Sequence, residues 1–383
     1  MIALALLENT SIKFIMHEQL VNAIKEQLQA ITDPFTLDKL TAAKGLKSID
    51  INDTHVVITL LRGYPIEPAV KRIEELVHES LSDLAMDGRA LKVLVEQNII
   101  SHTAQQGVDA VVGIKNIIAI ASGKGGVGKS TVSANLALAL AGAGANVAVL
   151  DADIYGPSQP RMLGVSGKPQ ALENKMLLPK KNYNLKIMSI GFLVEEDTPM
   201  IWRGPMVTQA LEQMLRGTSW NNDGIEVDYL LIDLPPGTGD IQLTLSQKVP
   251  VSGAVIVTTP QDIALLDARK AYKMFDKVDV PVFGVIENMS AHVCGNCGHE
   301  EAIFGAQGAQ KMADDYDLDV LGEIPLSMSI RQDADDGKPS VIGDPESLIA
   351  HRYTDIALRI AAKLSVKKKD FSAAFPNIVV ENS

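Results

Sequence analysis

The chain has 383 residues, of which 46% are hydrophobic and 21% are charged, and its formal net charge is -12. This length suits one large α/β domain with a smaller one, and the composition excludes disordered and fibrous proteins. The acidic balance argues against broad electrostatic binding of nucleic acid, and two cysteines are too few for a disulfide framework, so a reducing cytoplasmic location is expected.

The first residues, Ile2 to Leu7, are apolar. They are too few to span a membrane, which takes roughly 20 residues, and they follow no basic stretch, so we expect a soluble protein without a membrane partner. Met16 lies just before a predicted helix. Residues 1–15 are therefore hypothesised to be an extension from a misplaced start, which the intact mass of the native protein would test.

Residues 17–95 show the pattern of an independent small α/β domain. An amphipathic helix opens it, and strands are predicted over His55 to Leu61 and Leu91 to Val95, with a longer helix after Pro65 between them. Residues 96–116 are predicted to be a linker whose end pairs with the next sheet.

The second half of the chain alternates buried strands with helices, as in a parallel sheet covered on both faces. We predict an α/β fold with a mostly parallel sheet over residues 117–364 and a tail over 365–383. Several strands end in charged or Gly-rich loops, where open α/β sheets bind their ligands. The predicted strands are Ile117 to Ala121, Val147 to Leu150, Lys186 to Ile190, Tyr229 to Ile232, Ala254 to Thr258, Val282 to Ile286 and Val320 to Ile324.

A Gly-rich loop lies between the strand that ends at Ala121 and a helical run from Val132 to Ala141. A P-loop requires this order, because its glycines turn backbone N–H groups toward phosphate oxygens and the helix N-terminus favours their negative charge. We predict that Lys129 contacts the outer phosphates of ATP and that the Ser130 hydroxyl binds Mg²⁺. The predicted nucleotide-binding residues here are Gly123, Lys124, Gly125, Gly126, Val127, Gly128, Lys129, Ser130 and Thr131.

Lys124 is an additional lysine early in this loop. In this respect the chain resembles the deviant P-loop class of the MinD, ParA and nitrogenase iron protein relatives. The resemblance implies that Lys124 reaches the nucleotide of a partner subunit, so that ATP lies between two chains of a homodimer. A solvated loop lysine is the alternative, since loops commonly carry charge. The same resemblance assigns adenine binding to Asn288, although Asn at a strand end is also a frequent turn residue.

Two acidic segments fit the same class. Asp151-Ala152-Asp153 follows a predicted strand, where a carboxylate can position the attacking water, and the resemblance assigns this role to Asp153. Asp233 opens a second segment and would hold Mg²⁺ through water, while the Gly237 N–H would contact the γ-phosphate. Either aspartate alone could be a helix cap, but together with the P-loop they indicate a catalytic site.

Both cysteines lie in one short segment, His292-Val293-Cys294-Gly295-Asn296-Cys297-Gly298-His299. Two intervening residues let the sulfurs turn toward one metal or cluster. A cluster usually takes four thiolates, so two chains would share it. The spacing alone leaves three possibilities, which are a dimer-bridging [4Fe-4S] cluster, a Cys2His2 zinc site with His292 and His299, and a redox or inert pair.

The order of motifs from Asn116 to about Leu364 resembles the Mrp/ApbC family. The shared features are the deviant P-loop, the Asp-Ala-Asp-Ile-Tyr-Gly-Pro-Ser and Asp-Leu-Pro-Pro-Gly-Thr-Gly-Asp segments, and Glu-Asn-Met followed by Cys-x-x-Cys. The resemblance implies an ATP-hydrolysing carrier that binds a [4Fe-4S] cluster through Cys294 and Cys297. It further implies a cluster-assembly scaffold and apo iron-sulfur proteins as partners, and it favours iron over zinc.

Residues 17–95 resemble the small iron-sulfur-assembly domain that is often fused in front of this family's ATPase domain. Many such domains carry a cysteine before a proline after the second strand, whereas this chain has Gly63-Tyr64-Pro65. Because no thiol stands there, the domain is assigned no cluster ligand of its own, and we expect a docking or regulatory role.

Two other functions stay open from the sequence. A positioning ATPase like MinD or ParA would cycle on a membrane or on DNA, and residues 356–369 interleave apolar residues with Arg359 and Lys363 before three lysines, as a membrane-surface helix does. More often such a stretch is a domain-closing helix with a solvated end. The other alternative is an ATPase with a purely structural zinc site.

Overall fold

The computed structural model describes residues 17–102, 108–173, 175–193, 204–294 and 297–367. The chain divides into two compact units, Met1–Ile99 and Ile100–Ser383. The division falls inside residues 96–116, the stretch predicted to be a linker. The hypothesised extension over 1–15 and the tail from residue 368 onward lie outside the described residues.

The first unit contains a three-stranded sheet of order β1-β2-β3. Strands β1 and β2 are antiparallel, whereas β2 and β3 are parallel and are therefore joined by a crossover helix, α2. Both predicted strands and the helix after Pro65 are present, but β1 was not predicted, because its residues are half-exposed and largely polar. The elements are α1 (described over 17–30), a 3-10 turn (Ala42–Lys44), β1 (Leu46–Ile51), β2 (His55–Arg62), α2 (Val70–Ser80) and β3 (Ala90–Gln97).

The position that follows β2 in this unit is occupied by a buried tyrosine. The Tyr64 hydroxyl donates to both carboxylate oxygens of Asp33, at 2.9 and 2.8 Å, and Arg62 Nε lies 3.0 Å from Asp33 Oδ2. Burial raises the pKa of Tyr64 and lowers that of Arg62. Tyr64, which precedes Pro65, thus closes a buried polar cluster inside the unit.

The second unit is built on a sheet that has nine strands among the described residues. The order is β11-β10-β9-β4-β8-β5-β7-β6, with β12 paired to β10, and all pairs are parallel except β6 with β7 and β10 with β11. The strands are β4 (Ile114–Ala121), β5 (Val147–Asp151), β6 (Lys180–Asn182), β7 (Leu185–Ser189), β8 (Val227–Asp233), β9 (Gly253–Thr258), β10 (Val282–Val293), β11 (Glu300–Glu301) and β12 (Val320–Leu326).

These strands confirm the predicted fold class. Strands β5, β8 and β9 are buried along their whole length, as expected of strands with packed residues on both faces. All seven predicted strands are present. Strands β6 and β11 were not predicted, because three and two residues are too few to show a period in the sequence.

The helices of this unit cover the sheet. Helix α3 is buried over most of its length and packs against α11, and α7 packs on β9 with α8 beside it. The helices are α3 (Lys129–Gly142), α4 (Gln159–Met162), α5 (Gly204–Gly217), α6 (Asp240–Lys248), α7 (Asp262–Lys277), α8 (Gly308–Tyr316), α9 (Met328–Asp335), α10 (Ser340–Gly343) and α11 (Leu348–Ser365), with a 3-10 turn at Ile190–Phe192.

Helix α11 contains most of the stretch that could have been a membrane-surface helix. Its apolar residues, among them Tyr353, Ile356 and Ile360, are buried against the rest of the unit. The following Lys367 lies 4.8 Å from the ring centroid of Phe283. The structure therefore shows a domain-closing helix. Within the residues described, no helix is both long enough and apolar enough to cross a membrane.

Candidate functional site

The phosphate loop joins the end of β4 to the start of α3. Gly126 and Gly128 both have φ of 82°, in the left-handed region that glycine adopts without strain. A Cβ added to Gly128 would lie 2.2 Å from Asn288 Nδ2, and one on Gly123 would lie 2.1 Å from the Asp267 carbonyl. Close packing from behind therefore forces the loop backbone to curve around the space in front of it.

That space is a cavity of about 220 Å³ at the carboxyl ends of the parallel strands. Backbone N–H groups of the loop and the first turn of α3 suit phosphate, since helix N-termini bind anions. Its lining residues are Ser122, Gly125, Gly126, Gly128, Lys129, Ser130, Thr131, Asp153, Ser158, Met162 and Pro236. Six of the nine predicted loop residues and Asp153 thus line one cavity.

Lys129 is the cation of this cavity, and only 5% of it is exposed. Its Nζ lies 2.5 Å from Asp233 Oδ1 and 3.9 Å from Asp153 Oδ2, and it donates to Ser130 Oγ at 3.4 Å. Two carboxylates therefore balance its charge. Lys129 and Asp233 thus form a buried ion pair at the cavity.

The Asp233 carboxylate is fully buried beside a second one, Asp151, since the two residues are register partners on β8 and β5. Asp151 Oδ2 accepts from the Ser189 hydroxyl at 3.0 Å and from the Gln159 N–H at 3.1 Å. Complete burial, reinforced by the charge of Asp233, raises the pKa of Asp151 to about 7. The two strand ends therefore bring the charge of Asp233 close enough to affect the ionisation of Asp151.

Asp153 lies on the cavity wall, and its Oδ1 accepts from the Tyr155 N–H at 3.2 Å. Burial raises its pKa, Lys129 opposes this rise and Asp233 adds to it. A carboxylate whose pKa is raised is a better proton acceptor, which suits a residue that orients an attacking water.

Two other predicted contact groups are engaged with the phosphate loop itself. The Gly237 N–H donates to the Ser122 carbonyl at 3.0 Å, and Asn288 Nδ2 donates to the Val127 carbonyl at 2.8 Å. A γ-phosphate contact by Gly237 would replace the first bond. Nδ2 carries two hydrogens, so the bond to Val127 does not use the full capacity of Asn288.

Lys124 differs from Lys129 although both lie in one loop. Lys124 is exposed, and its carbonyl accepts from the Ser122 hydroxyl at 2.9 Å. Its side chain is therefore placed at the surface of the nucleotide site, where a group that acts on a partner's nucleotide has to lie.

The cysteine segment forms the tip of the hairpin made by β10 and β11, in which His292 pairs with Glu301. The Cys294 N–H donates to the His299 carbonyl and the Gly298 N–H donates to the Cys294 carbonyl, both at 2.9 Å. Cys294 is half-buried and Cys297 is exposed. We call residues Cys294 to His299 the cysteine turn; its residues 295 and 296 lie outside the described part.

The described residues contain no group of three or more His, Cys, Asp or Glu side chains arranged to hold a metal ion. His292 Nδ1 lies 3.4 Å from the Leu326 carbonyl. The Cys2His2 zinc alternative therefore has no preassembled set of ligands in this part of the chain.

Three residues beside the nucleotide cavity were missed by the sequence analysis as site residues, namely Asp151, Gln159 and Ser189. Asp151 and Ser189 end neighbouring parallel strands, β5 and β7, and Gln159 begins α4. The Asp-x-Asp pattern was a signal for Asp151. Ser189 stands in no recognisable motif, because the order of the strands brings it to the site. Gln159 directly follows the segment from Asp151 to Ser158, and this position was its signal.

Comparisons with known proteins agree with this geometry. The sequence model of the family described as "ParA: NUBPL iron-transfer P-loop NTPase" matches residues 113–361. An "Iron-sulfur cluster carrier protein" of Haemophilus influenzae is 46% identical over 344 residues, which are 90% of this chain and 92% of that protein. A protein of the same name from Pseudomonas fragi is 54% identical over 276 residues, 71% of this chain and 95% of that protein.

Among solved structures, a "nucleotide-binding protein in complex with ADP" from Archaeoglobus fulgidus superposes with a TM-score of 0.53. It is 37% identical in sequence and the match covers 61% of this chain and 90% of that one. The described phosphate loop and its aspartates thus lie within the region that the family model matches. The chain belongs to the ParA: NUBPL iron-transfer P-loop NTPase family.

Proposed function

We propose that this P-loop ATPase binds a [4Fe-4S] cluster at a homodimer interface and transfers it to apo-proteins. The observation that carries the proposal is the cysteine turn, which presents two thiols at the tip of a hairpin that continues from the ATPase sheet. The names of relatives that are 46% and 54% identical support cluster carriage.

The nucleotide site has the groups that MgATP needs. Residues Gly123 to Thr131 would wrap the phosphates, with Lys129 on the outer ones. The Ser130 hydroxyl and the Asp233 carboxylate are hard oxygen ligands of the kind Mg²⁺ prefers. Both lie near Lys129, whose Nζ is 3.4 Å from Ser130 Oγ and 2.5 Å from Asp233 Oδ1. Magnesium would neutralise charge that develops on the phosphates.

Other residues would complete the reaction. Asp153 would orient the attacking water from the cavity wall, and Lys124 would contact the nucleotide of the partner subunit. Gly237 would bind the γ-phosphate after releasing Ser122, and Asn288 would bind adenine.

Cluster binding would require a second copy of the chain. Cys294 and Cys297 supply two thiolates, whereas a [4Fe-4S] cluster usually takes four. The proposed partners are therefore a second chain, an assembly scaffold that provides the cluster, and apo iron-sulfur proteins that receive it. The proposed location is the cytoplasm. We propose no nucleic-acid or membrane partner.

Anaerobic reconstitution followed by transfer to the apo form of a [4Fe-4S] enzyme tests this function. The wild type should bind iron and sulfide, show iron-sulfur absorbance and restore the enzyme's activity. Cys294→Ala and Cys297→Ala should show none of these three results. Their ATP affinity should stay within about twofold of the wild type, since neither thiol lines the nucleotide cavity.

His299→Ala is the matched control. It alters the same turn, where the structure uses only the His299 carbonyl, and it should keep the cluster. Stoichiometric zinc without iron-sulfur absorbance in the wild type, or a full cluster on Cys294→Ala, would overturn the proposal.

A further inference from the structure

Two neighbouring residues beside the nucleotide cavity bury polar atoms that have no hydrogen-bond partner in the described part of the chain. They are the hydroxyl oxygen of Ser158 and the side-chain carbonyl oxygen Oε1 of Gln159. A buried polar atom without a partner is costly, and such atoms are few in native structures. Two such atoms on consecutive residues indicate a site that a ligand or ordered water completes.

The Gln159 amide lies between the two residues assigned to magnesium. Its Nε2 donates to the Ser130 carbonyl at 2.9 Å and to Asp233 Oδ2 at 3.0 Å, while its backbone N–H donates to Asp151. Exchange of the amide oxygen and nitrogen would place Oε1 against two acceptors, so the hydrogen bonds fix the orientation. Gln159 thus holds the loop and Asp233 with its fully buried side chain, and Asp151 with its backbone N–H.

Ser158 stands on the wall of the same cavity, together with Ser130 and Asp153. A hydroxyl both donates and accepts, and a metal-bound water is a strong donor that needs acceptors. Oε1 shares a planar amide with Nε2 and is therefore close to the Asp233 carboxylate that Nε2 contacts. The two unpartnered atoms therefore lie beside the residues that would hold magnesium and its water ligands.

We propose that Gln159 is a positioning residue of the magnesium site. Its Nε2 orients Asp233, and Oε1 together with the Ser158 hydroxyl accepts hydrogen bonds from metal-bound water. The inference concerns nucleotide and metal binding alone, so it stands or falls separately from cluster carriage.

The test is the affinity of the full chain for a non-hydrolysable ATP analogue, measured by calorimetry with Mg²⁺ and with EDTA. We define the magnesium gain as the dissociation constant in EDTA divided by the dissociation constant with Mg²⁺. Gln159→Met keeps the side-chain length and removes its hydrogen bonds. It should reduce that gain about tenfold while the affinity in EDTA stays within about threefold, because the bonds it removes are those that hold the metal ligands.

Asn182→Leu is the matched control, because Asn182 Nδ2 donates to the Leu163 carbonyl at 2.7 Å and so holds the other end of α4. It should leave the magnesium gain unchanged. An unchanged gain in Gln159→Met, or an equal loss in Asn182→Leu, would overturn the proposal.

Ser158→Ala is a second variant that removes one oxygen and keeps the fold's packing. It should lower the magnesium gain by about threefold, the effect of a single hydrogen bond. If Gln159→Met does not fold, a normal gain in Ser158→Ala contradicts the proposal.

Discussion

The nucleotide cavity and the cysteine turn belong to one sheet but differ in how much of each a single chain supplies. At the cavity, Lys129 and Asp233 are buried, and each carboxylate oxygen of Asp233 accepts from a side chain of the same chain. At the cysteine turn, Cys297 is exposed and only two thiols are present. The nucleotide cavity is thus lined by charged groups that one chain pairs with each other, whereas the cysteine turn has half of a cluster's usual ligands.

Under the proposed function, the two sites depend on the dimer to different degrees. The nucleotide site would bind ATP with residues of one chain and would receive only Lys124 from the partner. The cysteine turn would hold a cluster only when two chains meet. Strand β10 joins both regions, because Asn288 contacts the phosphate loop and Cys294 directly follows Val293, the last residue of the strand.

Lys129→Met gives the largest expected effect and tests whether the nucleotide site is complete within a chain. The loss of its charge should lower kcat/KM for ATP about 1,000-fold, since it removes a buried charged partner of the phosphates worth roughly 4 kcal/mol. Steady-state ATPase kinetics measure this. Iron content after reconstitution should stay at the wild-type value.

The removal of Lys129 also leaves Asp233 buried without its cation, which destabilises the fold. Lys129→Arg keeps a positive charge for Asp233 and controls for this loss, because Arg does not reproduce the compact ammonium of the loop. An ATPase rate near wild type in both variants would show that the loop assignment is wrong.

Lys124→Ala should lower kcat about 100-fold, because it removes one group that stabilises charge in the transition state. The affinity of each chain for ATP should stay within about twofold. Because Lys124 is exposed, its replacement should leave the stability of the fold unchanged, which thermal melting checks. The variant separates the residue that acts across chains from the loop residues that act within one.

Complementation sharpens that result. In a hybrid dimer, the Lys124→Ala chain keeps Lys129 in its own site and would receive Lys124 from the Lys129→Met chain, so this site works. The site of the Lys129→Met chain lacks both lysines and does not work. An equal mixture should therefore recover roughly a quarter of wild-type activity, since half of the dimers are hybrids with one working site. A mixture that forms hybrid dimers and stays inactive would contradict the cross-chain role.

Asp151→Asn has the smallest expected effect and tests whether the buried carboxyl of Asp151, beside Asp233, has a raised pKa. The pKa of Asp151 is raised to about 7 from about 4 in an unfolded chain. Between these values the folded chain keeps a proton that the unfolded chain loses. Wild-type stability should therefore fall as pH rises through this window, by at most about 1.4 kcal/mol per pH unit from this group, and Asp151→Asn should lose less.

Thermal melts at about pH 5 and about pH 8 measure the difference. Asp223→Asn is the control, because hydrogen bonds from Lys181 and then Lys186 hold the pKa of Asp223 below its usual range, so it does not titrate in this window. An equal fall in Tm for wild type and Asp151→Asn would rule out the raised pKa.

The nucleotide loop could be predicted from the sequence because its groups are contiguous. Gly123 to Thr131 carry the motif, and the strand and helix beside it were visible as apolar runs. Ser189 could not be predicted, since it reaches the site through the order of parallel strands, and a single sequence does not state which strands are neighbours. Gln159 directly follows the segment from Asp151 to Ser158, but the sequence does not state that its side chain turns toward Asp233.

The cysteine region shows the opposite limit. The sequence predicted the pair and its spacing, but the strand before it was predicted to end at Ile286, whereas β10 continues to Val293. The second half of β10 mixes polar and apolar residues and pairs with β12 and the two-residue β11. Long-range pairing, which local patterns do not record, extends it.

Native mass spectrometry of the anaerobically reconstituted chain tests the central claim most directly. The claim predicts that four iron and four sulfide ions travel with a two-chain species, and that Cys297→Ala yields chains without cluster. A complete cluster on single chains, or two-chain species that carry zinc in its place, would contradict the account.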